Sequence, residues 1–96
     1  MKPSLVFDQN RDAIKAVIAR YTVRNPRLFG SVVAGLDHDG SDLDLLVDAL
    51  PGTTLMDLCG LQHDLEELLG LPVDVRTPQD ISQRYREKIL STARPI

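Results

Sequence analysis

One cysteine, no block of basic residues and no long apolar run are the first features of this 96-residue chain. A lone Cys59 forms no internal disulfide and has no cysteine partners for a structural zinc site. It reads as a small apolar residue on a helix, and it suits a reducing cytoplasm. The 11 Lys and Arg are scattered among 14 Asp and Glu, for a net charge of −3. Without an electrostatic footprint, direct DNA or RNA binding by this chain alone is not expected. No apolar stretch approaches the ~20 residues that cross a bilayer, and the N-terminal "MKPSLVFDQNRD" lacks the apolar core of a signal peptide. Repeats and low-complexity tracts are absent as well. At 43% hydrophobic content, residues 1–96 make one small domain with a single core, too short for a multi-domain enzyme.

What is present is a regular alternation of helix and strand signals. Ala13, Ile14, Val17, Ile18 and Tyr21 recur at helical spacing, so a helix runs from a cap at Asp8 or Asn10 to about residues 20–22. "NPRLFG" is a short strand, because Pro26 bars a continuing helix, and it ends at Gly30-Ser31. The "DHDGS" run from Asp37 is a turn or loop of solvated residues. "DLDLLVDAL" is a second strand, stopped by Pro51-Gly52. Leu55, Leu58, Leu61, Leu65, Leu68 and Leu69 mark an apolar helix face, opened by a capping box of Thr54 and Asp57 and closed by Gly70 and Pro72. "LPVDVRT" is a third strand. Thr77-Pro78 then begins a last helix, with Asp80 in its capping pattern and Ile81, Tyr85, Ile89 and Leu90 along its apolar stripe. The expected architecture is an α/β (α+β) domain, a small three-stranded sheet covered by helices.

Two carboxylates interrupt the second strand. Strand side chains alternate between faces, so Asp42 and Asp44 emerge together while Leu43, Leu45 and Val47 pack on the other side. Two anions so placed repel unless a cation sits between them, and the hard divalent ions Mg²⁺ or Mn²⁺ suit oxygen ligands. Asp74, flanked by valines on the third strand, joins the same face if that strand pairs beside the second. Three converging carboxylates are the ligand set of a two-metal phosphoryl-transfer site. Gly30-Ser31 at a strand end brings backbone N–H groups and a hydroxyl within reach of a polyphosphate.

An Asp-x-Asp alone fits a solvated strand face, and a Gly-Ser alone fits an ordinary turn; the joint spacing selects a site. An EF-hand reading of "DHDGSDLDLLVD" fails, because Asp42 stands where the loop needs glycine and Asp44 where it needs an apolar residue. His38 and His63 read as surface residues.

The pattern of Gly30-Ser31, a spacer, "SDLDLLV" and a later single Asp resembles the polymerase-β-type nucleotidyltransferase superfamily. The short length and the stretch from Leu46 to Ile81 resemble its minimal nucleotidyltransferase (MNT) branch. The resemblance implies a mixed sheet, a nucleoside triphosphate on Gly30 and Ser31, and catalytic metal ligands in Asp42, Asp44 and Asp74. It implies transfer of AMP from ATP, with two Mg²⁺ ions (Mn²⁺ as a substitute), to a hydroxyl of a partner protein. In this branch the partner is often a HEPN-domain RNase toxin, modified on tyrosine and silenced by its antitoxin. The alternative is an inactive antitoxin that works by occlusion. One departure is visible: family members commonly read "GSxARG", whereas this chain reads Gly30-Ser31-Val32-Val33-Ala34-Gly35. Arg76, two residues beyond Asp74, is a candidate substitute for the missing cation.

Overall fold

The computed structural model describes residues 1–96. Two short helices, α1 (Pro3–Gln9) and α2 (Arg11–Ile18), precede strand β1 (Val23–Phe29). A single helical turn, α3 (Ser31–Ala34), leads through a loop to β2 (Leu43–Ala49). The long helix α4 (Leu55–Leu69) crosses over to β3 (Val73–Arg76). A 3₁₀ turn (Pro78–Asp80), α5 (Gln83–Thr92) and β4 (Arg94–Pro95) complete the chain.

The sheet order is β3-β2-β1-β4. β1 pairs antiparallel with β2 and with β4, whereas β2 and β3 run parallel, so the sheet is mixed. The parallel pair follows from its connection, since α4 carries the chain back over the sheet between β2 and β3. Alternation along the strands gives two faces. Leu28, Leu43, Leu45, Val47, Val73 and Val75 pack with Phe7, Ile14, Ile18, Leu61 and Leu65 in the main core. On the opposite face, Phe29, Leu46 and Ile81 form a smaller cluster, with Ile89 and Ala93 against it. Thus α5 covers one end of the face on which Asp44 and Asp74 stand, and leaves the other end open.

Local chemistry sets both ends of α4. Thr54 and Asp57 form the expected capping box at the start of α4, with N–H···O distances of 2.8 and 3.1 Å, and Gly70 closes the helix in the left-handed conformation (φ 69°). Asn10 does hold the cap position of α2, but its side chain donates to the Val6 carbonyl (2.8 Å) and so fastens α1 to α2 rather than capping.

Three expectations are corrected, and one helix lies outside them. Helix α1 precedes the helix read from a cap at Asp8 or Asn10: Pro3 opens it, Phe7 anchors it in the core, and Asp37 caps it from across the chain. Asp37 is therefore not a solvated loop residue. It is only 8% exposed and accepts the Ser4 N–H at 2.9 Å, a bond that holds its carboxyl below the ordinary range. The single helix expected after Thr77 is two elements, because Ile81 turns to extended backbone (φ −93°, ψ 135°) to bury its side chain beside Phe29 and Leu46 before α5 begins. The sheet has four strands rather than three, since Arg94-Pro95 adds an edge to β1.

Candidate active site

β2 and β3 are in register, with Asp44 opposite Asp74 and Leu46 opposite Arg76. This places two carboxylates side by side on one face. Asp42 lies one residue before β2, exposed, so the expected strand begins one residue late and Asp42 approaches Asp44 from the loop. Its charge is nonetheless felt. Burial, then Asp74, then Asp42 push the Asp44 carboxyl up to about 6 against an opposing effect of Arg76.

Gly30 forms the floor of the site. At φ 76° and ψ −146° it occupies a conformation open to glycine alone. A Cβ on Gly30 would stand 2.2 Å from Asp44 Oδ2, so the absent side chain is the space the carboxylate fills. Ser31 opens α3 directly after it, half-buried, at the junction of β1 and this turn. The turn ends at Gly35 in the left-handed conformation, and Val32 is buried in the core.

Asp48, four residues along the same strand and on the same face, provides a contrast. Burial opposes its ionisation, but hydrogen bonds from Asn25 (3.2 Å) and Arg27 (3.0 Å) outweigh burial and hold the carboxyl below the ordinary value. Asp44 has no such donor. Its environment consists of desolvation and two neighbouring anions, with Arg76 as the only opposing charge. Three carboxylates with one arginine between them leave an excess of negative oxygen ligands, which matches the chemistry of a hard divalent cation. No three acidic, histidine or cysteine side chains close to metal-holding distance of one another. Asp74 Oδ2 instead accepts from Arg76 Nε at 2.8 Å.

The expected residues Gly30, Ser31, Asp42, Asp44 and Asp74 thus lie at the same end of one sheet face. His38 and His63 are exposed, as read from the sequence. The dual service of Gly30, turn former and seat for Asp44, was not anticipated, because only the paired register of β1, β2 and β3 reveals it.

A mixed sheet that sets a Gly-Ser turn beneath paired strand carboxylates defines a nucleotidyl-transfer scaffold. The chain belongs to the nucleotidyltransferase domain family, which matches residues 11–96, and within it to the minimal nucleotidyltransferase branch. It is 41% identical to the protein adenylyltransferase MntA of Thermococcus cleftensis over 76 residues, covering 79% of this chain and 77% of that protein. A solved structure described provisionally as a minimal nucleotidyltransferase superposes with a TM-score of 0.84 at 38% identity, covering 97% of this chain and 95% of the other. A toxin–antitoxin complex with AMP-PNP shares the fold, with a TM-score of 0.76 at 22% identity over 90% of this chain and 71% of the other.

Proposed function

We propose that the chain is an antitoxin that transfers AMP from ATP to a tyrosine hydroxyl of a HEPN-family RNase toxin, as a single minimal domain in the cytoplasm. The observation that carries the reading is the register of Asp44 against Asp74 above a Gly30 that has no room for a side chain. The relative named protein adenylyltransferase supports the acceptor class, and the AMP-PNP complex of a structural neighbour supports the nucleotide.

Asp42, Asp44 and Asp74 would hold Mg²⁺, two ions or one, with Mn²⁺ as a substitute; such ions supply charge neutralisation on the phosphates. The remaining work falls to the chain. Gly30 and Ser31 place backbone N–H groups and a hydroxyl against the phosphates. The acceptor oxygen attacks the α-phosphorus, the bond to the β-phosphate oxygen breaks, and pyrophosphate leaves. The proton of the acceptor hydroxyl passes to Asp74, whose Oδ1 has no partner within the protein. Catalysis is positioning and electrostatics, and no covalent intermediate with the chain is needed.

A second reading, neutralisation by occlusion alone, draws on the turn: Ala34 stands where the family commonly has arginine. Intact-mass spectrometry of the toxin after incubation with the protein, ATP and Mg²⁺ separates the two. Increments of one or more AMP units, absent with the Asp42→Ala, Asp44→Ala double variant, are the expected result. A stable complex with no increment under any nucleotide would establish occlusion instead.

A further inference from the structure

The nucleotide site is built from anions, yet its proposed substrate carries a triphosphate. From Leu28 through Val75 the sequence contains no lysine or arginine, so the Gly-Ser turn, β2, α4 and β3 up to Asp74 contribute no cation. On the carboxylate face, Arg27 is only 8% exposed and its Nη1 is spent on Asp48 Oδ1 (3.0 Å) and the Asn25 carbonyl (2.8 Å). Arg86 of α5 donates through Nη2 to the Ile81 carbonyl (3.1 Å), and its Nε is buried. Arg76 is different. It sits on β3, the edge strand, on the face of Asp74 and diagonal to Asp44. Its Nε donates to Asp74 Oδ2, which fixes the plane of the guanidinium, and its side chain is 48% exposed. Neither terminal nitrogen has an acceptor within the protein.

An arginine anchored by Nε with its terminal fork free is prepared for an anion of phosphate geometry. Resting on the reading of the site as nucleotide-binding, we propose that Arg76 is the triphosphate-binding cation of this protein, oriented by Asp74. Asp74 thereby acts twice, once toward the cation site and once by aiming Arg76. Lysine cannot reproduce this arrangement, because it has no second nitrogen to hold while the first binds phosphate.

The test measures binding rather than turnover, with ATP and Mn²⁺ as probes and wild type, Arg76→Gln, Arg76→Lys and Asp44→Asn as proteins. Circular dichroism checks folding; residue 76 is exposed, so the fold is retained. Arg76→Gln is expected to weaken ATP binding in the presence of Mn²⁺ by about tenfold, the worth of one charge-assisted phosphate contact. Arg76→Lys recovers only part of that. Mn²⁺ binding by the nucleotide-free Arg76→Gln protein, counted by electron paramagnetic resonance, stays equal or becomes tighter, since a positive neighbour of the carboxylates has gone. ATP affinity within twofold of wild type would overturn the assignment, and so would a parallel loss of Mn²⁺ binding. Asp44→Asn separates the underlying reading: if that variant binds Mn²⁺ as wild type does, the site itself is misread and Arg76 falls with it. If Asp44→Asn loses Mn²⁺ while Arg76→Gln keeps ATP, the site stands and only the role of Arg76 fails.

Discussion

A single carboxyl group shows how this molecule trades stability for a site. Asp44 shares its strand and face with Asp48, but Asp48 is satisfied by Asn25 and Arg27 whereas Asp44 faces Asp74 and Asp42. Its folded-state value of about 6 exceeds the ordinary 3.8. Between those values the native state binds more protons than the unfolded chain, so on this account stability falls as pH rises through the window from about 4 to 6. Asp44→Asn removes the charge and the pH dependence together. It is expected to stabilise the metal-free protein at pH 7 by on the order of 1 kcal/mol, after discounting for solvent screening, while abolishing nucleotide transfer. Thermal unfolding at pH 5 and pH 7 checks both parts: the gain over wild type appears at pH 7 and shrinks at pH 5. A variant less stable than wild type at both values would mean that the carboxylate is stabilised by its surroundings, contrary to the crowding seen here.

At the scale of elements, legibility follows the range of the interactions that define each one. Helix α4 was readable in full because its determinants are local: a capping box, a leucine stripe and a terminal glycine within one stretch. Thr54→Ala should therefore cost about 1 kcal/mol, or ~4–8 °C in melting temperature, with no effect on metal binding. A melting temperature unchanged within 1 °C would show that the box contributes nothing. β2 and β3 were readable from alternation, which put Asp44 and Asp74 on one face only on the condition that the two strands pair; the parallel register meets that condition. The missed elements depend on distant partners. α1 has seven residues, too few to persist alone; it relies on Phe7 in the core and on Asp37, 33 residues away in sequence from Ser4. β4 has two residues and a proline, and exists because β1 offers it an edge. The break before α5 reflects burial of Ile81, a demand of the second core that no propensity in "DISQRYREK" announces.

At the scale of the whole molecule, the sheet brings together carboxylates that lie 30 residues apart in sequence, Asp44 and Asp74, and holds them against their mutual repulsion. The unfolded chain has no such arrangement, so a divalent cation held there, as proposed, would bind the native state alone and its binding energy would add to folding stability. At ten times the dissociation constant the gain is about 1.4 kcal/mol, or ~6–11 °C in melting temperature for a domain of this size. Protons compete for the same oxygens. As pH falls below about 6, Asp44 takes up a proton, and the metal must displace it to bind. The metal-free protein and the metal-induced gain therefore move in opposite directions over one pH range: lowering pH from 7 to 5 relieves the repulsion at Asp44 and stabilises the free protein, while the stabilisation added by Mn²⁺ declines. Melting curves with and without Mn²⁺ at both pH values resolve the two trends, and the Asp42→Ala, Asp44→Ala variant should show neither. A Mn²⁺-induced shift of the same size at pH 5 and pH 7 would place the ion on groups other than Asp44, because only a ligand that titrates near 6 ties the metal and the proton to one carboxylate.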